Sequence, residues 1–304
     1  MVNGRNRSVD AVKGILIFLV VIGHVLLGTL DENIIRYTIY SFHMPAFFFV
    51  SGYLLDMERL AGQGYWSVLS KYWKRMLAEW SVAWLVYTAY VLRHGNFDWM
   101  DVVQNLYAPF YHLWFVPALF VLITLLWLVF RLIRCNTVRF ILLFALGLLT
   151  YNISNTSFNI SSVFNCILML FIVMGIYSRK YLNVINVINV RGGIIILFCI
   201  LSIVCVYLFM ESKIEFMRTY MEIPIASILC LLGILPMLQR GKFQGGIFEY
   251  WGRNSLRIYL WHVIPIICLK WLFSENPSLY YTVSGAVILM CIALTHAVNK
   301  RLLI

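Results

Sequence analysis

The chain has 304 residues, 62% of them hydrophobic and only 12% charged, with a mean hydropathy of +0.84 and a formal net charge of +11. Soluble domains are about half apolar and about a quarter charged, so this composition excludes a soluble globular protein and predicts an all-α integral membrane protein. The basic residues fall between apolar runs rather than in one aromatic-rich patch, which excludes nucleic acid as a partner and leaves the lipid bilayer.

A membrane-spanning helix needs about 20 apolar residues. Taken in chain order, runs of that kind lie near 12–30, 36–55, 77–93, 111–132, 138–152, 161–178, 192–210, 223–239, 254–273 and 280–299. They predict a bundle of about ten transmembrane helices after a short N-terminal segment, 1–11. With that segment in the cytoplasm, Arg5, Arg7, Lys13, Arg59, Lys71, Lys74, Arg75 and most later Lys and Arg fall inside. Only Arg36, Arg93, Lys213, Arg218 and Lys270 fall outside. One missed or invented span would scramble that separation, so both termini are expected in the cytoplasm. The first run is long for a signal-peptide core and lacks a small-residue cleavage pattern, so it is expected to remain as an anchor. The connecting loops are too short to bury a core of their own, which makes 1–304 one membrane-embedded domain. Between the second and third runs, 62–76 mixes aromatic and basic residues and is expected to lie at the cytoplasmic interface. The Asn-Val-Ile repeat at 183–190 reads as a second interfacial connector. The seven cysteines are scattered and none has metal-ligand spacing, so no metal site is expected.

The informative residues are polar ones in the wrong solvent. Asp10, Lys13 and His24 share one face of the first helix, since offsets of three, eleven and fourteen residues stay within about 60° of one another. About 16 Å of rise separates Lys13 from His24, which places Lys13 near the cytoplasmic headgroups and His24 in the apolar core. An ionisable residue at such depth is costly and marks a functional site by default. The second run carries His43 beside Pro45, which removes a helix hydrogen bond, and then Ser51-Gly52, which allow close helix approach. Running the other way, it brings His43 to a depth similar to that of His24. Trp114 opens the fourth span within His112-Leu113-Trp114-Phe115-Val116-Pro117. Ser255, Tyr259 and His262 recur at helical spacing in the ninth span and form one polar stripe facing protein or water.

A buried imidazole beside hydroxyls and aromatics suits general-base activation of an alcohol, or transient acceptance of an acyl group. Lys13, Lys71, Lys74 and Arg75 at the cytoplasmic mouth suit a polyanionic donor. An acyl-CoA meets both needs as a co-substrate, with no tightly bound cofactor. Asp10, His43, Ser51, Trp114, Ser255, Tyr259 and His262 then line the acceptor side of the cavity. A secondary transporter or glycan-export protein with a buried histidine site is the alternative from another class, although no inverted repeat of broken helices is present.

Four stretches, in order, strengthen the first reading. Ser8-Val-Asp10-Ala-Val-Lys13 through Gly23-His24, Phe42-His43-Met44-Pro45 with Phe48 through Tyr53, Leu113 through Pro117, and Gly252 through His262 resemble the successive signatures of the membrane acyltransferase 3 family. The resemblance implies transfer of an acyl group, most often acetyl from acetyl-CoA, to a hydroxyl of a cell-surface polysaccharide or lipid-linked glycan, in the bacterial cytoplasmic membrane. It also implies that His24 is the catalytic residue. The chain departs from the family at Lys13, where arginine is typical, and in the region of Glu79-Trp80, where a proline usually follows the basic stretch. Lys13 keeps the charge but not the bidentate geometry of arginine.

Overall fold

The computed structural model describes residues 6–30, 32–94, 99–107, 109, 112–154, 166–182, 222–239, 246–273 and 275–301. In chain order the helices are α1 (Arg7–Val25), α2 (Ile34–Leu54), α3 (Met57–Ala61), α4 (Tyr65–Tyr72), α5 (Ala78–His94), α6 (Trp99–Tyr107), α7 (Phe115–Leu132), α8 (Asn136–Ser154) and α9 (Met169–Tyr181). They continue with α10 (Glu222–Ile228), α11 (Leu235–Gln239), α12 (Ile247–Arg253), α13 (Ser255–Trp261), α14 (Val263–Phe273) and α15 (Pro277–Arg301). Wider π turns join α4 to α5 over Trp73–Leu77 and α10 to α11 over Leu229–Ile234. No strand occurs among the described residues.

Among the described residues, four helical stretches can cross a membrane by length and composition: Arg7–Val25, Phe115–Leu132, Ser255–Phe273 and Pro277–Leu294. Asn136–Leu149 and Ile223–Gln239 are apolar but shorter. The second and third expected spans correspond to α2 and α5. The seventh, 192–210, and the connector at 183–190 lie outside the described residues. The segment expected at 62–76 does contain a helix, but it runs directly into α5 through the π turn.

The first span sits about one turn earlier than the apolar run, 7–25 in place of 12–30. Local polar chemistry sets both ends. Asn6 Oδ1 accepts from the Ser8 and Val9 amides at 3.1 and 3.4 Å, a cap that contributes about 1 kcal/mol, and Asp10 in the first turn favours the same end. At the other end Leu26 turns extended and Gly28 takes φ +86°, a conformation that L side chains rarely adopt. Glu32 Oε2 then accepts from the Thr29 amide at 2.7 Å, and the Asn33 side-chain amide donates to the Leu27 carbonyl at 3.1 Å. Leu26, Leu27 and Leu30 extend the apolar run through a turn and so conceal it.

The helices form two compact units, Met1–Val50 with Tyr181–Ile304, and Ser51–Lys180. In the first, α12 lies against α1 at backbone distance: a Cβ on Gly14 would overlap the Phe248 carbonyl, and one on Gly252 would overlap the Asp10 carbonyl. Such close approach is the usual role of small residues between membrane helices. Glu249, only 2% exposed, pairs with Arg7 at 2.9 Å beside this contact. The far end of α1 is tied to α15, where Tyr280 donates to the Val25 carbonyl at 2.8 Å and Tyr281 accepts from the Leu27 amide at 2.9 Å. Val25, Ile266 and Tyr280 form a small buried core there.

In the second unit a Cβ on Gly52 would overlap the Ile172 carbonyl, so α2 and α9 also meet at backbone distance. Trp127 and Arg131 of α7 donate to the Gln63 carbonyl, both at 3.0 Å, closing the α3–α4 turn onto α7. Cys135 precedes α8 and is exposed; the Val138 and Thr137 amides, with Arg139 nearby, hold its thiol below the ordinary range. Because the lowered thiol exists as thiolate at lower pH, Cys135 is expected to alkylate faster than Cys268 or Cys291 near pH 7. In sealed inverted vesicles an impermeant maleimide should reach it from the cytoplasmic face. Labelling only in right-side-out cells would reverse the expected orientation.

Candidate active site

Three histidines expected from the sequence meet in the first unit, through a tyrosine that the sequence reading missed. His24 occupies the last turn of α1 and is partly buried. Its Nε2 lies 3.3 Å from the Tyr40 hydroxyl, and its ring centroid is 5.8 Å from that of Tyr40 and 4.9 Å from that of His262. Tyr40 in turn stacks edge-on to His43 at 5.0 Å. The result is one contiguous group, His43–Tyr40–His24–His262.

The surrounding helices fix the ring tautomers. A carbonyl only accepts, so His43 Nδ1 must carry the proton it donates to Ile39 O at 2.7 Å. His262 Nδ1 likewise donates to the carbonyls of Tyr259 at 2.8 Å and Ile258 at 3.1 Å. Each ring is thus held by its own helix through Nδ1, which leaves Nε2 as the nitrogen available to a neighbour. For His24, a Tyr40 hydroxyl that donates to Nε2 leaves the same tautomer. At 3.3 Å that hydrogen bond is long, so an incoming hydroxyl can compete for the nitrogen.

Gly23 makes this geometry possible. A Cβ there would stand 2.8 Å from the Tyr40 ring, which packs across the glycine to reach the adjacent His24. Arg36 sits one turn before Tyr40, its Cζ 5.5 Å from the Tyr40 ring centroid. Arg36, Tyr40 and His43 follow at helical spacing on α2, and that stripe was the available sequence signal.

The remaining expected residues occupy three places. Ser255 and Tyr259 are buried on α13, two turns and one turn before His262 respectively. Asp10 (buried) and Lys13 (partly buried) lie toward the N-terminal end of α1, away from His24 along the helix. Lys71, Lys74 and Arg75 are exposed in the second unit, at and within the π turn that leads into α5. Partial desolvation first, then the Arg75 and Arg59 cations, holds the Lys71 ammonium below the ordinary lysine range. Ser51 and Trp114 also belong to the second unit, as the last turn of α2 and the residue capping α7. There the Trp80 indole donates to the Leu113 carbonyl at 2.8 Å. Among the described residues no group of His, Cys, Asp and Glu can hold a metal ion.

Comparison with known proteins gives this arrangement a chemical context. The sequence model of an acyltransferase domain, the acyltransferase 3 type, matches residues 6–298. The chain belongs to the acyltransferase 3 family. It is thus a transferase and a membrane protein. Nodulation protein NolL of Sinorhizobium fredii is 46% identical over 59 residues, and NolL of Mesorhizobium japonicum is 44% identical over 59. Each match covers 17% of this chain and 16% of the relative. No solved structure matches the chain.

For a member of this family, the packing of Tyr40 over Gly23 has a measurable consequence. A Gly23→Ala variant should keep its Tm within a few degrees while its turnover falls on the order of tenfold or more, because the ring must move off His24. Unchanged turnover in a folded G23A protein would separate Tyr40 from the chemistry.

Proposed function

We propose that the protein is an O-acyltransferase that moves an acyl group, acetyl foremost, from cytosolic acyl-CoA to a hydroxyl of a cell-surface polysaccharide or lipid-linked glycan. The single observation that carries this reading is the placement of His24, with Nε2 directed at the Tyr40 hydroxyl and its ring against His262, inside a transferase of the acyltransferase 3 family. His24 Nε2 takes the acceptor hydroxyl proton as the oxygen bonds to the thioester carbonyl carbon. The tetrahedral adduct collapses, the C–S bond breaks, and the departing sulfur recovers the proton from the imidazolium. In a two-step version the acyl group rests on His24 between donor and acceptor. On this reading His43, Tyr259, Ser255 and His262 line the acceptor side, and Lys13 at the other end of α1 receives a phosphate of CoA.

Purified protein supplied with labelled acetyl-CoA and total surface glycan should transfer label to the glycan. Glycans from a strain lacking the gene should lose the mass of one acetyl group at each modified sugar. Glycans of unchanged mass would remove this acceptor class. Omitting the acceptor separates the two mechanisms: label retained on protein through denaturing gel filtration indicates the acyl-histidine route, and its absence indicates base catalysis.

A further inference from the structure

The start of α2 and the last turn of α14 carry cations that the donor does not need. Arg36, in the first turn of α2, donates from Nη1 to the Gly28 carbonyl. Its Nε is buried and has no hydrogen-bond partner among the described residues. Lys270, in the last turn of α14, lies within electrostatic range of Arg36. Among the described residues neither cation pairs with a carboxylate. Glu32, the nearest acid in sequence, is engaged by the Thr29 amide. Two like charges within electrostatic range of each other repel, and an anion between them relieves that repulsion.

Their position is informative. Arg36 sits over the Tyr40 ring, and Tyr40 touches His24, so the cations lie at the His24 end of α1. Lys13 lies eleven residues away along the same helix, about 16 Å of rise. A CoA whose phosphates meet Lys13 cannot use the same phosphates at Arg36.

We propose that Arg36 and Lys270 bind the oxyanion of the acyl acceptor, a phosphate or a carboxylate, and so place its hydroxyl beside His24. This rests on the acyltransfer reading above and narrows its acceptor to an acidic one: either a sugar joined to its carrier through phosphate or an acidic sugar. The Arg36 guanidinium has its Nε free to complete a two-pronged contact, and Lys270 adds a point charge.

The test reads binding without turnover. Full-length protein in phosphatidylcholine nanodiscs, saturated with CoA to fill the donor site, is titrated at constant ionic strength with inorganic pyrophosphate and, separately, with glucuronate. One of the two should raise Tm by about 3 °C or more. Response to pyrophosphate assigns a phosphate-linked acceptor, and response to glucuronate an acidic sugar. Arg36→Gln and Lys270→Gln should each weaken the apparent affinity about tenfold. Arg36→Lys, which keeps the charge but not the two-pronged contact, should fall between the wild type and Arg36→Gln. No response in the wild type overturns the proposal, as does a response that survives in both glutamine variants. A response that requires phosphatidylglycerol in the nanodisc reassigns the pair to lipid anchoring and overturns it too. Loss of acetyl transfer to every glycan would defeat the acyltransfer reading alone, because the binding measurement is independent of it.

Discussion

Replacing His24 by alanine is expected to reduce acyl transfer by about 10³-fold or more, with little change in folding. General acid–base catalysis by a positioned imidazole contributes about 10²–10⁴-fold, and a carrier role would make the loss complete. The fold should survive because His24 is only partly buried in the last turn of α1, and that end is held by Tyr280 and Tyr281 through backbone groups of Val25 and Leu27. Initial rates with labelled acetyl-CoA, beside Tm and size-exclusion profiles of both proteins, check this. A well-folded H24A protein with wild-type rates would sink the assignment of His24. His262→Ala is expected to cost less, since His262 touches the His24 ring edge-on and its Nδ1 proton is already given to its own helix.

The largest structural effect is expected at the opposite end of α1. Gly252→Ala places a methyl group into the Asp10 carbonyl, and Gly14→Ala places one into the Phe248 carbonyl. Both obstacles are backbone, so the helices must separate rather than a side chain turn aside. Overpacking typically costs about 1–3 kcal/mol, and backbone contact falls at the upper end. Either variant should lower Tm by several degrees in detergent, and the double variant should fail to accumulate as a monodisperse peak. Gly285→Ala is the control, because a Cβ there meets open space. Equal Tm values for G252A and G285A would mean that α1 and α12 do not meet at backbone distance.

Much of this arrangement follows from features visible in the sequence, and the omissions have physical reasons. The spacing of Asp10, Lys13 and His24 puts them on one helix, and the polar residues of the second and ninth spans do bring His43 and His262 into the same cluster. Tyr40 and Arg36 escaped notice because an aromatic and a basic residue near a membrane boundary look like ordinary interfacial anchors. Gly23 escaped because its role depends on a ring from another helix. The end of α1 was misplaced because leucines continue through the turn, and only the Gly28 dihedral and the Glu32 and Asn33 side chains stop the helix. The α1–α12 contact needs the two glycines to be in register, which composition does not encode. The basic residues grouped at the donor mouth divide between the units: Lys13 in one, Lys71, Lys74 and Arg75 in the other.

The fixing of α1 at both ends has a consequence for selectivity. With the Gly14 and Gly252 contacts at one end and the Tyr280 and Tyr281 hydrogen bonds at the other, the helix cannot slide to meet its substrates. It acts as a ruler. On the proposed function, with the donor's phosphates at Lys13 and its thioester at His24, that interval is set by the helix, and the donor's carrier arm should need a matching reach. Shortened donors such as acetyl-pantetheine or N-acetylcysteamine thioesters should therefore lose turnover as well as affinity, because without the charged end nothing sets where the carbonyl stops.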